Sequence, residues 1–263
     1  MSDDLLGQID WQEWVTRFDR MQDRGLISRP ERLTVLMRTV RAACPTPKGI
    51  LDLGCGSGTL GEVLLDTFPD TTVLGVDLDH SLLALARRRL ERFGSRVSLI
   101  RADLRDDAWM REHWGRFDAA VSATALHWLS AESLATLYRR LAGLLKPGGL
   151  FVNADHVAND SPAIMAAWLE DKKRHWSTTD PDGAETWAEF WKAYAVALGA
   201  DEKSIGSWVV KNWEAVEEGM PMAWHFDRMR ESGFEAVDCF WRSLGDAVYG
   251  GVRAATPSAQ HTG

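Results

Sequence analysis

Three aspartates each stand at the end of a short apolar run: Asp52 within Ile50-Leu51-Asp52-Leu53, Asp77 after Val73-Leu74-Gly75-Val76, and Asp103 just past Val97-Ser98-Leu99-Ile100. Between the first two lies a glycine-rich stretch, "LDLGCGSGTLG" over residues 51 to 61. Glycine lets a backbone turn sharply and come close to a ligand, and Gly56 to Gly61 fits the nucleotide-binding pattern G-x-G-x-x-G letter for letter. The apolar run ends at Leu53, however, so the turn opens at Gly54. The glycines expected to meet a ligand are therefore Gly54, Gly56 and Gly58, and the literal match lies two residues late. Asp52 then narrows the chemistry. A carboxylate beside the loop repels a diphosphate and attracts an ammonium or a sulfonium. Asp77 can accept both hydroxyls of a ribose, which suits nucleotides of several kinds. Turn and helix-cap roles compete for each of these acids.

Two histidines follow later runs. His127 lies in "SATALHWLS", beyond Phe117 to Val121, and His156 in "NADHV", beyond Leu150 to Asn153. Histidine titrates near neutrality and serves as a general base or as a substrate hydrogen-bond partner. Asp155 is a candidate to orient His156. For His127 a packing or capping role at a helix start is an equal alternative.

The elements that must carry these residues alternate. Apolar runs at 50–53, 73–76, 97–100, 117–121 and 150–153 are separated by helical periodicity at 60–67, 81–93, 105–113 and 131–145. Strict alternation implies parallel strands with right-handed crossovers, an α/β doubly wound, mostly parallel sheet with helices on both faces, which binds ligands at the carboxyl ends of its strands. Two amphipathic helices, 9–23 and 30–43, precede it. After residue 159 the rhythm breaks into helical segments at 162–176, 184–198 and 202–217, which predicts a helical cap inserted before the sheet resumes. A helix at 224–231 and strands at 234–241 and 247–253 complete it. The tight Gly245-Asp246 connection makes the last two strands antiparallel. The expected organisation is an N-terminal lid helix (1–28), a core (29–158), a cap (159–221), the sheet completion (222–253) and a disordered tail (254–263).

Composition sets outer bounds. A net charge of −8 over 263 residues lacks the positive field that non-specific nucleic-acid binding draws on. Cys44, Cys55 and Cys239 form no C-x-x-C pair, so neither a disulfide framework nor a metal site is indicated. No window is long and apolar enough for a membrane span, and the acidic opening MSDDLLGQID is not expected to act as a signal peptide. A cytoplasmic protein without nucleic-acid or membrane partners is expected, and a homodimer is compatible with this reading.

"ILDLGCGSG", followed by "VLGVDLD" and "RADL", resembles the cofactor-binding half of class I S-adenosylmethionine-dependent methyltransferases over roughly residues 30 to 155. The resemblance implies a seven-stranded Rossmann-like sheet whose last strand is antiparallel, with S-adenosylmethionine as cofactor. It implies that Asp52, Gly54 and Gly56 lie beside the methionine end of the cofactor and that Asp103 meets the adenine amino group. Gly58, Leu78, Leu104 and Ala123 join Asp77 in the implied cofactor site. Arg29, or Arg17, is a candidate for the cofactor's own carboxylate. Base N-methyltransferases usually carry Asn or Asp, then Pro-Pro and an aromatic residue, after the fourth strand. Ser122-Ala123-Thr124-Ala125 departs from that pattern. The Leu126-His127-Trp128 step is instead similar to small-molecule methyltransferases, including those acting on carboxylates.

Seven of thirteen tryptophans lie in or beside the insertion. Most are expected to stabilise a small cap, while Trp187 and Trp191, with Trp14 and Trp128, are candidates to line an apolar acceptor pocket. The expected reaction is in-line methyl transfer to an oxygen or nitrogen of a small organic acceptor, with His127 and His156 as candidate catalytic groups. If the acceptor is a carboxylate, no base is needed. The competing readings are a nucleotide-dependent oxidoreductase, which Asp52 opposes, and a cofactor-binding regulator without turnover.

Overall fold

The computed structural model describes residues 9–178, 184–199 and 219–255. Its seven-stranded sheet has the order β3-β2-β1-β4-β5-β7-β6, built from β1 (Gly49–Leu53), β2 (Thr72–Asp77), β3 (Val97–Arg101), β4 (Phe117–Ala123), β5 (Leu145–His156), β6 (Phe234–Ser243) and β7 (Asp246–Arg253). β1 to β5 pair in parallel, while β7 runs antiparallel to both β5 and β6. The order reverses between β1 and β4. That is where a doubly wound sheet opens a crevice at its strand ends.

Alternation along the strands sorts side chains to the two faces. Leu51 and Leu53 join one core with Tyr138, Leu141, Met222 and Met229. These come from α5 (Ala131–Leu144) and α8 (Met222–Glu231). Ile50 joins the other core with Leu36, Leu64 and Leu90. Those residues come from α2 (Arg29–Ala43), α3 (Thr59–Thr67) and α4 (His80–Leu90). Asp52 is the polar exception in this arrangement, a carboxylate with only 2% of its surface exposed.

Contacts divide the chain into two compact units, 30–165 with 215–263 and 1–29 with 166–214. The larger holds the sheet. The smaller includes α1 (Trp11–Gly25), the part of α6 (Pro162–Thr178) from residue 166, and α7 (Trp187–Ala197). Its core is aromatic: the Trp14 ring lies 5.7 Å from Phe190 and 5.0 Å from Tyr194, and Phe18 lies 5.5 Å from Phe190. Arg17 covers Trp14 at 3.8 Å and donates to both oxygens of Glu185. Thr186 and Glu189 close a capping box at the start of α7. The helix expected at 202–217, with Trp208 and Trp213, and the tail from residue 256 lie outside the described residues. No helix among the described residues is long and apolar enough to cross a membrane.

Candidate functional site

The glycine loop leaves β1 at Leu53, and its three glycines take left-handed backbone angles, φ +65° at Gly54, +52° at Gly56 and +81° at Gly58. Gly61 is instead an interior residue of α3. The left-handed glycines are thus the set read from the strand end, and the literal G-x-G-x-x-G is out of register. Gly54 has a second constraint. A Cβ there would stand 2.4 Å from the Cβ of Ala125, so the loop and the turn after β4 touch through a glycine. The loop is tied down on its other side, where Gly54 and Cys55 donate to the carbonyl of Val76.

Two buried carboxylates flank this loop. Asp77 ends β2, accepts hydrogen bonds from the Gly56 and Asp79 amides at 2.8 Å each, and has its pKa raised by burial to about 6. Asp52 is pushed up to about 7, first by burial and then by the charge of Asp77, against one stabilising bond from the Gly61 amide. Burying two acids side by side is costly unless a positive group arrives. The donor set fits the cationic end of S-adenosylmethionine and disfavours a dinucleotide diphosphate.

The other expected contacts are distributed as follows. Leu78, Leu104 and Ala123 are half-buried beyond the ends of β2 and β3 and at the end of β4. Asp103 is gripped by Arg105, whose Nε lies 2.9 Å from Oδ1 and whose Nη2 lies 2.6 Å from Oδ2. Its neighbour in sequence thus engages the carboxylate that the resemblance assigns to an adenine amino group. Arg29 belongs to the smaller unit and pairs with Asp23 at 2.6 Å and Asp19 at 3.4 Å, partners that a cofactor carboxylate would have to displace. Trp14 and Trp191 are buried in that unit and Trp187 is exposed; Trp128 is half-buried in the larger one, its ring 4.3 Å from that of His127.

The histidines meet at the ends of β4 and β5, ring centroids 4.9 Å apart and edge to face. Each has its own carboxylate. His127 shares a 2.6 Å hydrogen bond through Nδ1 with Oδ1 of Asp155. Asp155 also accepts from the amides of Leu126, His127 and His156. Burial pushes this acid upward, but the charge and hydrogen bond of His127, with help from His156 and Arg32, outweigh it and hold Asp155 well below the usual carboxylate range. An ionised Asp155 can only accept, so His127 Nδ1 carries the proton and Nε2 is left for chemistry. His156 pairs instead with Asp246, 2.7 Å from its Nδ1. The sequence pointed to Asp155 as the orienting partner of His156; the side chain of Asp155 reaches His127. Adjacent strand residues point to opposite faces, and His156 and Asp246 are direct cross-strand partners in the β5–β7 pairing. Burial lowers the His156 pKa against the opposing bond to Asp246.

Sequence reasoning missed Arg32 and Asp246. Arg32 is 3% exposed and donates to Asp246, Thr124 and the carbonyl of Ala154. Its signal was positional, because Arg32, Leu36 and Val40 form one i, i+4 stripe, and a stripe that buries its two aliphatic members buries the arginine too. Behind Asp155 a further polar chain runs through Asn153, Tyr249, His225 and Tyr138. Burial pushes His225 down to about 4, so it is neutral at physiological pH.

Gly219 covers the histidines. Its φ is +69°, and a Cβ there would lie 2.7 Å from the carbonyl oxygen of His156 and 3.5 Å from the Cβ of His127. Gly219→Ala is expected to cost about 1–3 kcal/mol in stability through backbone strain and to displace His156. Thermal unfolding checks this, and an unchanged melting temperature would refute it.

Comparison with known proteins agrees with this geometry. Residues 50–149 match the family described as a methyltransferase domain. The trans-aconitate 2-methyltransferase of Acidovorax sp. is 34% identical over 42% of this chain and 39% of its own length. That of Methylobacterium nodulans is 30% identical over 64% of this chain and 69% of its own. A malonyl-[acyl-carrier protein] O-methyltransferase of Priestia megaterium is 33% identical over 38% of this chain and 34% of its own. The match to the first of these relatives thus spans about two fifths of its length. Among solved structures, an O-methyltransferase family protein from Burkholderia thailandensis superposes with a TM-score of 0.57 at 21% identity, covering 87% of this chain and 56% of the other. At that identity the likeness establishes the fold. With the glycine register, the sheet order and the extended match to a curated relative in agreement, the chain belongs to the class I S-adenosylmethionine-dependent methyltransferases.

Proposed function

We propose that the protein transfers a methyl group from S-adenosylmethionine to a carboxylate oxygen of a small organic acid. The observation that carries the cofactor side is the buried pair Asp52 and Asp77 beside three left-handed glycines. Asp52 meets the cationic end, the Gly54 and Gly56 backbone lets it approach, Asp77 takes the ribose hydroxyls, and Leu78, Leu104 and Ala123 flank the nucleoside. Asp103 takes the adenine amino group once Arg105 yields. The acid acceptor is supported by the names of the curated relatives, trans-aconitate and malonyl-[acyl-carrier protein] methyltransferases. Trp128, beside His127, is our candidate for an acceptor contact in the larger unit.

When bound, the cofactor supplies an electrophilic methyl on a sulfonium. The residues of the chain hold the acceptor oxygen in line with it, and a carboxylate needs no proton removed. A second reading, transfer to a hydroxyl, is favoured by the His127–Asp155 pair, which has the geometry of an oriented base.

Calorimetric titration with S-adenosylmethionine and with NADH, followed by detection of S-adenosylhomocysteine over a panel of mono-, di- and tricarboxylic acids and their hydroxylated analogues, tests the proposal. Binding of NADH alone would overturn it. Tight cofactor binding with no turnover on any acceptor would indicate a regulator.

A further inference from the structure

Arg32 joins three segments that surround the histidine pair. Its Nη1 lies 3.1 Å from Oδ1 of Asp246, the first residue of β7, and its Nη2 lies 3.0 Å from the Ala154 carbonyl in β5 and 3.3 Å from Oγ1 of Thr124. Thr124 stands in the left-handed region at φ +54°, in the turn that leads from β4 to His127, and its own amide donates to the same Ala154 carbonyl. A β-branched residue at positive φ is strained and persists only where its surroundings hold it. The guanidinium fork supplies that hold, and a lysine at this position would offer a point charge without the second arm.

Asp246 is the other half of the device. Its Oδ1 receives both Arg32 and Nδ1 of His156, at 3.1 and 2.7 Å. A carboxylate oxygen that receives both can only accept, which places a proton of His156 on Nδ1 and leaves Nε2 as the ring atom that can meet an acceptor. His127 is held the same way by Asp155. Two imidazoles edge to face, one held through Nδ1 by the buried Asp155 and the other by the half-buried Asp246, form a built site. A packing histidine does not need this much organisation.

We propose that Arg32 and Asp246 are positioning residues that keep a proton of His156 on Nδ1 and fix the Thr124 turn, so that His156 and His127 turn Nε2 toward one acceptor, as a lone pair toward a hydroxyl and as a donor toward a carboxylate once the ring takes a second proton. The proposal rests on the methyltransferase reading for its activity arm and on the geometry alone for its spectroscopic arm.

The test is long-range 1H–15N correlation spectroscopy of the whole protein with 15N-labelled histidine, for the native sequence, Asp246→Asn and Arg32→Lys. The His156 resonance is assigned by its loss in His156→Ala. The native protein is expected to show His156 protonated at Nδ1, and Asp246→Asn to shift it toward the Nε2-protonated form or a mixture. Both variants should release S-adenosylhomocysteine at least tenfold more slowly on whichever carboxylic acid the native protein methylates. Their affinity for S-adenosylmethionine by calorimetry should stay within about threefold of native. A native His156 protonated only at Nε2 overturns the proposal whatever the variants do, including the case in which Asp246→Asn does not fold. So do native tautomer and turnover in Asp246→Asn, or a loss of cofactor affinity that accounts for the whole loss of turnover. Absence of S-adenosylmethionine binding by the native protein would be a failure of the parent reading, and it would leave the tautomer result to decide this one.

Discussion

Replacing Asp52 by asparagine is expected to stabilise the ligand-free protein at pH 8 while removing most of the stabilisation that S-adenosylmethionine confers. Asp52 is held at about 7 when folded, against an ordinary value of 3.8. Its raised value means the folded state keeps a proton that the unfolded chain has already released. The associated stability is therefore fully present below pH 3.8, is lost as the pH rises toward 7, and is absent above. A gap of this size corresponds to about 4 kcal/mol. An asparagine carries no such penalty, so the melting temperature of the variant should exceed that of the native protein by on the order of 5 °C at pH 8 and by less at pH 5.

Cofactor binding should run the opposite way. A cationic ligand favours the ionised acid, so the affinity of the native protein for S-adenosylmethionine should rise with pH below about 7 and level off above it. Asp77, raised to about 6, titrates in the same range, so the two acids are read as a pair. In Asp52→Asn the affinity should fall about 10- to 100-fold at pH 8, and much of its pH dependence should go. Calorimetry across pH 5 to 9 measures both slopes. A variant that melts with the native protein and binds with native affinity would show that Asp52 is not the group that meets the cation.

What could be read in the sequence, and what could not, follows from the range over which each feature is determined. The glycine register was legible because an apolar run and the turn that ends it are adjacent, so Leu53 announces Gly54. The sheet type was legible from alternation, and the antiparallel β6–β7 pair from a tight connection. The apolar run 150–153 marks only part of β5, which runs from Leu145 to His156, because Lys146, Pro147, Gly148 and Gly149 interrupt the apolar pattern at an irregularity where the register shifts between the Phe117–Leu145 and Ala119–Leu150 pairs. The candidate acids and histidines were visible as residue types, yet their partners were not. Asp155 finds His127 across 28 residues, and Arg32 finds Asp246 across 214. Only the sheet order brings such pairs together. Asp103 shows the reverse case, since the Arg105 that engages it is two residues away and was in plain view.

His127→Ala is expected to lower turnover while leaving S-adenosylmethionine affinity unchanged, and the way the loss divides between kcat and KM identifies the acceptor atom. If the acceptor is a hydroxyl, Nε2 of His127 must take its proton as the oxygen attacks, and Asp155 stabilises the imidazolium that results. Removing the ring then costs about 10²- to 10⁴-fold in kcat with KM nearly unchanged. A carboxylate arrives already ionised. The ring can then only donate to it from Nε2 as an imidazolium held between Asp155 and the acceptor, an interaction made before and during transfer alike, so its loss appears mainly as a higher KM. For the carboxylate acceptor proposed above, a rise in KM of about 10- to 100-fold with kcat within a few-fold of native is the expected outcome, and His127→Gln, which retains a donor, should recover part of it. A collapse of kcat that glutamine does not rescue would transfer the assignment to a hydroxyl acceptor. Unchanged kinetics in His127→Ala would mean that the buried His127–Asp155 pair serves the fold alone, in which case its removal should appear in the melting temperature.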